Sequence, residues 1–286
     1  AGHSAVQMDI GAKVLPHFVK DNTDRNRTSP FAFTGNKFEF RMVGSAASIA
    51  GPNVILNAIV AEALEEFADK LEAAADFDAA VVELVRETVI AHKRIIFNGD
   101  GYTDAWVEEA KSRGLLNLKS TPEALPYMVK EKNINLFVKH GIFTEAEIRS
   151  RLEISLESYS KAIRIEALAM LDMLFKDILP AASAYSKDLT ASLLNKKELG
   201  ISGGFETELA SKIATLSSLL YTDAEKLKVD MADVDKTSAQ AEADYYHDVV
   251  LKDMAALREA GDELELLLGG KYLPYPVYSE LLFGVN

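Results

Sequence analysis

The sequence predicts a mainly α-helical protein, with a small β portion near its N-terminus followed by a bundle of long helices. Most of the chain beyond Pro52 carries apolar residues at the three-to-four-residue spacing of amphipathic helices. Between Thr144 and Pro180, a stretch of roughly 34 residues contains no glycine or proline that would interrupt a helix. Residues 36–41 instead alternate between polar and apolar types, which is the period of a strand.

The strand predicted over residues 36–41 follows a turn signal, and a short apolar stretch at 31–33 precedes that turn. Alternation places Phe38 and Phe40 on one face of the strand. The other face then carries three charged residues at successive positions about 7 Å apart: Lys37, Glu39 and Arg41. From the alternation alone, an edge strand with a solvated charged face is the alternative to a binding wall.

The helices that follow are predicted from spacing and from end signals. Apolar spacing indicates helices over about 53–75 and 78–97. Thr103 is a candidate N-cap for a short helix that Gly114 ends. Residues 120–123, Ser-Thr-Pro-Glu, have the pattern of a capping box with proline in the first turn.

The second half of the chain predicts longer helices. A capping box from Thr144 to Glu147 begins a helix that we expect to end at Pro180. Glycines in residues 200–204 predict a break before the next helix, which runs from Phe205 to about Leu220.

Beyond that helix, Thr222 with Glu225 is a candidate cap for another. Leu227, Val234 and Ala241 recur every seven residues and predict one long helix that Gly269-Gly270 ends. The tail beyond it, which is rich in proline and aromatic residues, is expected to dock as extended chain.

Length, composition and charge exclude several classes of protein. The 286 residues suffice for one large domain or about two ordinary ones. Acidic residues number 44 against 31 lysines and arginines, a net charge of −13, which argues against a general nucleic-acid binder. Cysteine is absent, so disulfides and thiolate sites are excluded, and a cytoplasmic location is expected. No apolar run reaches the roughly 20 residues that span a bilayer, so no membrane partner is expected.

Residues 13–41 form a basic island in this acidic chain. They hold six lysines and arginines against three acidic residues, a net charge of +3. Local potential governs anion binding more than total charge does, so this island is a candidate anion site. A solvated basic loop is the alternative.

The helical part of the chain offers no catalytic motif. Its histidines are far apart in sequence and lack the spacing of a metal site. No glycine-rich phosphate loop and no nucleophile elbow occurs. Candidate chemistry is therefore confined to the basic island.

Residues 24–41, Asp-Arg-Asn-Arg-Thr-Ser-Pro-Phe-Ala-Phe-Thr-Gly-Asn-Lys-Phe-Glu-Phe-Arg, resemble the C-terminal part of the glutamine synthetase catalytic domain, in its type III version. The likeness continues through 51–53, 98–103 and 140–144, and so covers most of the chain. It implies that residues 1–97 are the C-terminal part of that catalytic domain and that 98–286 are a helical C-terminal region.

The resemblance also implies roles for four residues. Arg27 would lie close to the transferring phosphoryl group, and Lys37 would bind nucleotide phosphate. Glu39 would be a ligand of a divalent metal, and Arg41 would bind substrate glutamate or its phosphorylated form. Phosphoryl transfer needs such cations, and hard divalent metals prefer carboxylate oxygens.

The implied reaction is ATP-dependent condensation of glutamate and ammonia with Mg²⁺ or Mn²⁺, in a protein that forms homo-oligomeric rings. The family's upstream barrel strands, with further metal ligands, have no counterpart here, and Ala32 stands where many members have arginine. We therefore expect the chain to be a C-terminal piece of a longer synthetase and inactive alone. A non-catalytic helical scaffold or assembly module is the alternative function.

Overall fold

A computed structural model describes residues 48–96 and 103–284 in full, together with the backbone pairing of four short strands nearer the N-terminus. The chain forms two compact units, Ala1–Asn117 and Leu118–Asn286. The resemblance implies a different division, between residues 97 and 98, and that division stays a prediction. The described residues are mostly helical, as the sequence predicts.

The strands of the first unit form two antiparallel pairs. Strand β1 (Gln7–Met8) pairs with β2 (Phe18–Val19). Strand β3 (Phe31–Phe33) pairs with β4 (Phe38–Phe40), so that Phe31 lies opposite Phe40. Residues 38–40 of the strand predicted over 36–41 therefore lie in β4.

The helices of the first unit are α1 (Ala50–Glu72), α2 (Phe77–Ala91) and α3 (Asp104–Ser112). The Asp76 carboxylate caps α2 by accepting a hydrogen bond from the Ala79 N–H at 3.0 Å. A 3₁₀ turn, Lys93–Ile95, follows α2. The Arg113 guanidinium donates to the carbonyls of Arg94 and Ile96, which ties the end of α3 to this turn.

The second unit opens with short helices. These are α4 (Thr121–Ala124), a 3₁₀ segment (Leu125–Val129) and α5 (Glu131–Lys139). The predicted capping box is confirmed, because Ser120 and Glu123 bond reciprocally to each other's backbone N–H.

Helix α6 (Glu145–Met173) begins at the predicted capping box, but the prediction that it ends at Pro180 is wrong. A π turn, Leu174–Ile178, leads directly into α7 (Leu179–Glu198). Proline has no N–H to donate, and its ring crowds the carbonyl four residues earlier. The wider π turn shifts the hydrogen-bond register by one residue just before this conflict, so the helix continues.

Two predictions beyond residue 220 are also wrong. Helix α8 (Gly204–Ala232) runs straight through the expected cap at Thr222, whose hydroxyl donates to the Ser218 carbonyl instead. The heptad pattern then crosses a break at 233–238, where Ser238 caps α9 (Ala239–Tyr245). Val234 is apolar because it packs into the core from this loop, not because it lies on a helix face.

A second π turn, Tyr246–Val250, connects α9 to α10 (Leu251–Leu267). Helix α10 ends before the two glycines, as predicted. The tail beyond it docks against α7, where the Tyr272 ring lies 4.7 Å from that of Tyr185. The expectation that the tail is extended chain is only partly met, since a 3₁₀ turn (Gly270–Tyr272) and helix α11 (Tyr278–Phe283) interrupt it.

The core of the second unit is built from α6, α7, α8 and α10 together with the two π turns. Helix α8 contacts both α7 and α10. Several buried alanines allow these helices to approach closely: Ala167, Ala182, Ala224 and Ala260. Among the described residues, none of the helices is long and apolar enough to cross a membrane.

Candidate functional site

The structure describes the backbone of one of the four site residues that the resemblance implies. Arg27, Lys37 and Arg41 lie outside the described residues, so their grouping stays a prediction. Glu39 is the central residue of β4 and is paired with Ala32 of β3. The hairpin therefore sets Glu39 in regular antiparallel backbone, as the alternation predicts.

The register of this hairpin separates two classes of residue. Phe31 pairs with Phe40 and Phe33 with Phe38, on either side of the Glu39 pair. Directly opposed residues share a face of an antiparallel ladder, and neighbouring pairs alternate between faces. The four phenylalanine positions thus belong to one face of the hairpin, and the positions of Glu39 and Ala32 belong to the other.

A charged cluster lies inside the helical unit, between α8 and α10. The Lys226 ammonium donates to the Asp230 carboxylate at 2.8 Å and also to Oδ1 of Asp253. Asp253 is only 9% exposed, and its Oδ2 has no hydrogen-bond partner within the part of the chain that the structure describes. Lys226 thus bridges two carboxylates from neighbouring helices.

Burial governs the electrostatics of this cluster. Loss of solvation raises the pKa of the Asp253 carboxyl, although its hydrogen bond to Lys226 opposes the rise. The Asp230 carboxylate keeps more solvent, and its hydrogen bond to Lys226 lowers its pKa. The arrangement can hold α8 against α10, and nothing in it positions a substrate.

Sequence reasoning missed Asp253, although a signal was present. The buried stripe of α10 and the π turn before it consists of Val250, Leu257, Ala260 and Leu264. Asp253 lies on the same spacing of three and four residues. An acidic residue on such a stripe predicts a buried counter-charge.

A cleft of about 500 Å³ opens in the same unit. Side chains of α6, the following π turn, α8, α10 and the C-terminal tail line it. Its floor is apolar and its rim is charged. Sequence reasoning placed nothing here, because the lining residues come from distant parts of the chain.

Comparison with known proteins shows similarity to one class of enzyme. Residues 80–197 match the family profile of the glutamine synthetase C-terminal domain. A glutamine synthetase of Butyrivibrio fibrisolvens is 44% identical over 292 aligned residues, which cover 94% of this chain and 39% of the relative. The type-3 glutamine synthetase of Dictyostelium discoideum is 39% identical, and a glutamine synthetase of Bacteroides fragilis (strain YCH46) is 35% identical. Each alignment covers 96% of this chain and 39% of the relative.

Over nearly all of its length the chain is therefore similar to proteins of the glutamine synthetase family. Within that family it is similar to a type-3 enzyme over nearly all of its length, which confirms the resemblance seen in residues 24–41 and beyond. It spans about two fifths of the length of the relatives it matches.

Proposed function

We propose that this chain supplies the phosphate, metal and glutamate contacts of a type-3 glutamine synthetase, which forms glutamine from glutamate, ammonia and ATP. The similarity to proteins named glutamine synthetase extends over at least 94% of the chain. One structural observation carries the proposal to specific residues. Glu39 occupies the centre of a paired strand whose sequence alternates charged and apolar residues.

The cations of the proposed site would act on developing negative charge. Arg27 and Lys37 would bind phosphate oxygens, where charge accumulates as the phosphoryl group moves. Arg41 would bind the carboxylate of glutamate, since the planar guanidinium matches a carboxylate with two parallel hydrogen bonds. These roles rest on the family resemblance and on the basic charge of residues 13–41.

Glu39 would hold a divalent cation, Mg²⁺ or Mn²⁺. Its carboxylate is the hard oxygen donor that such ions prefer, so the residue fits the role. It offers one ligand only, and the other protein ligands would come from outside this chain. When bound, the cation would neutralise phosphate charge in the transition state.

The chemistry balances in two steps. The γ-carboxylate oxygen of glutamate attacks the terminal phosphorus of ATP, and ADP leaves. Ammonia then attacks the acyl carbon of γ-glutamyl phosphate, phosphate leaves with the bonding electron pair, and the nitrogen loses a proton.

Residues 98–286 would serve folding and assembly of a homo-oligomeric ring in the cytoplasm, and the chain alone would be inactive.

The test uses the full-length protein that contains this chain. Glu39→Gln keeps the shape of the side chain and removes its charge, so we expect a loss of about 100-fold or more in kcat and a higher Mg²⁺ requirement. Arg41→Ala should raise the KM for glutamate. Both are measured as glutamine formation at varied metal and glutamate concentrations.

Lys161→Ala is the matched control, because Lys161 makes an exposed pair with Glu157 in α6 at 3.0 Å. It should leave activity unchanged. Full activity of correctly folded Glu39→Gln and Arg41→Ala would overturn the proposal and favour a non-catalytic scaffold. Glutamine formation by the 286-residue chain alone would refute its expected inactivity.

A further inference from the structure

The cleft in the helical unit has the size and lining of a small-molecule site. Its volume of about 500 Å³ is comparable to that of ligand pockets, which hold roughly 300–1,000 Å³. Apolar side chains of four elements form its floor, among them Met170, Met254, Leu220 and Leu257. Leu174 and Ile178 of the π turn also line it. Such turns are frequent at functional sites.

A glycine in the middle of α10 keeps the cleft open. Gly261 lines the cleft, and a Cβ built on it would meet only Leu220, at an ordinary contact distance of 3.9 Å. Glycine within a helix costs about 0.5–1 kcal/mol relative to alanine. Sterics of the backbone do not require glycine here, because the residue is in regular helix and has space for a side chain. Because Gly261 has no side chain, the space beside it in the cleft stays unfilled.

The rim of the cleft carries an excess of negative charge. Arg258 is its one cation among the lining residues, and Asp262 neutralises it at 3.2 Å. Glu166 and Glu265 complete the charged rim. Within residues 48–96 and 103–284, neither side chain makes an ion pair or a hydrogen bond. Two uncompensated carboxylates therefore lie beside an apolar floor.

The C-terminal tail forms one wall of the cleft, through Leu268, Pro274 and Tyr275. The Tyr275 hydroxyl donates to the Asp177 carboxylate at 3.2 Å, which fixes this wall against the long helix. A ligand in the cleft would thus be enclosed by helices and by the tail.

From these observations we infer that the cleft binds a small amphipathic cation, an organic ammonium on an alkyl or aromatic body. The apolar floor would take the body, and Glu166 and Glu265 would face the ammonium group. Met170, Met173 and Met254 would adapt to different bodies, because methionine side chains are flexible and polarizable. This inference is independent of the proposed synthetase activity, since it uses no residue of that site.

The test compares three probes that share an eight-carbon body: n-octylammonium, 1-octanol and octanoate. Binding to the full chain is measured by titration calorimetry and by the methyl NMR signals of labelled methionine. We expect octylammonium to bind about tenfold more tightly than octanol, which is what roughly 1.4 kcal/mol from two exposed carboxylates would give. Octanoate should bind most weakly. The signals of Met170, Met173 and Met254 should shift.

Two variants locate the binding. Gly261→Met should fill the cleft and abolish binding of all three probes without lowering the unfolding midpoint. The double change Glu166→Gln and Glu265→Gln should reduce octylammonium to the affinity of octanol and leave octanol unaffected. Glu153→Gln, an exposed change on the same helix but outside the cleft, should alter nothing.

Each outcome decides the inference. No binding of octylammonium, or unshifted methionine signals on binding, would overturn it. Equal affinity for octylammonium and octanol would also overturn it, because the rim would then not select a cation. If Gly261→Met does not fold, the double glutamine variant decides alone, and unchanged selectivity in it contradicts the proposal.

Discussion

At the scale of single residues, Asp253 stands out among the described side chains because it is a charged carboxylate in a buried position. A carboxylate on the buried stripe of α10 loses most of its solvent. The Lys226 ammonium supplies the compensating charge from α8. A buried charge that loses its partner is costly, so this pair should be sensitive to removal of the lysine.

Lys226→Met should destabilise the protein by about 1–2 kcal/mol at pH 8. The loss is smaller than for a fully buried pair, because Lys226 itself is largely exposed and solvent screens its charge. Burial already raises the pKa of Asp253, and the loss of Lys226 would raise it further. A carboxyl whose pKa is raised in the folded protein binds its proton more tightly there than in the unfolded chain. The free energy of unfolding therefore falls as pH rises through that pKa. The deficit should therefore be smaller at pH 4 than at pH 8, as measured by urea unfolding.

Lys161→Met provides the comparison, since Lys161 makes an exposed pair with Glu157 on the surface of α6. It should change the free energy of unfolding by less than about 0.5 kcal/mol at either pH. A pH-independent deficit in Lys226→Met would show that the ammonium does not compensate Asp253.

At the scale of elements, some helix ends followed from local sequence and others did not. The boxes at Ser120 and Thr144 form as the sequence indicates, because capping depends on residues only three positions apart. Gly200 likewise follows α7 in the left-handed region, with φ of +71°. The end predicted at Pro180, the cap predicted at Thr222 and the helix predicted across 233–238 were wrong. Apolar periodicity indicates neither the π turn before Pro180 nor the loop that carries Val234 into the core.

Thr144→Ala should destabilise the protein by about 1 kcal/mol, since it removes the acceptor of the Glu147 N–H at the start of α6. Thr190→Ala is the matched control. Thr190 is exposed within α7, and its hydroxyl only returns to carbonyls of its own helix. The control should be neutral or stabilising, because alanine has the higher helix propensity. Equal losses in both variants, measured by thermal unfolding, would contradict the capping role.

At the scale of the whole molecule, the two units differ in how much they bury. The core of the second unit draws all its members from residues 163–268. In the described part of the first unit, Ala58 and Leu84 are the buried residues. Many apolar side chains of α1 and α2 are exposed there, among them Ile59, Leu64 and Val82.

Residues 118–286 expressed alone should therefore fold cooperatively, with near-UV circular dichroism and a single thermal transition. Residues 1–117 alone should expose apolar surface and bind a hydrophobic dye strongly. The measurements are thermal unfolding and dye fluorescence of the two pieces at equal concentration. Loss of tertiary signal in 118–286 would show that its core depends on the first unit.

Local sequence determined the helical class, the caps at Ser120 and Thr144, the glycine stops and the strand around Glu39, because each depends on residues close together in the chain. The motif in residues 24–41 also indicated the family, through residue types rather than through their positions in space. Tertiary structure alone decided that Asp253 meets Lys226 and that Gly261 faces a cleft. Those features join residues that are distant in the chain, and only packing brings such residues into contact.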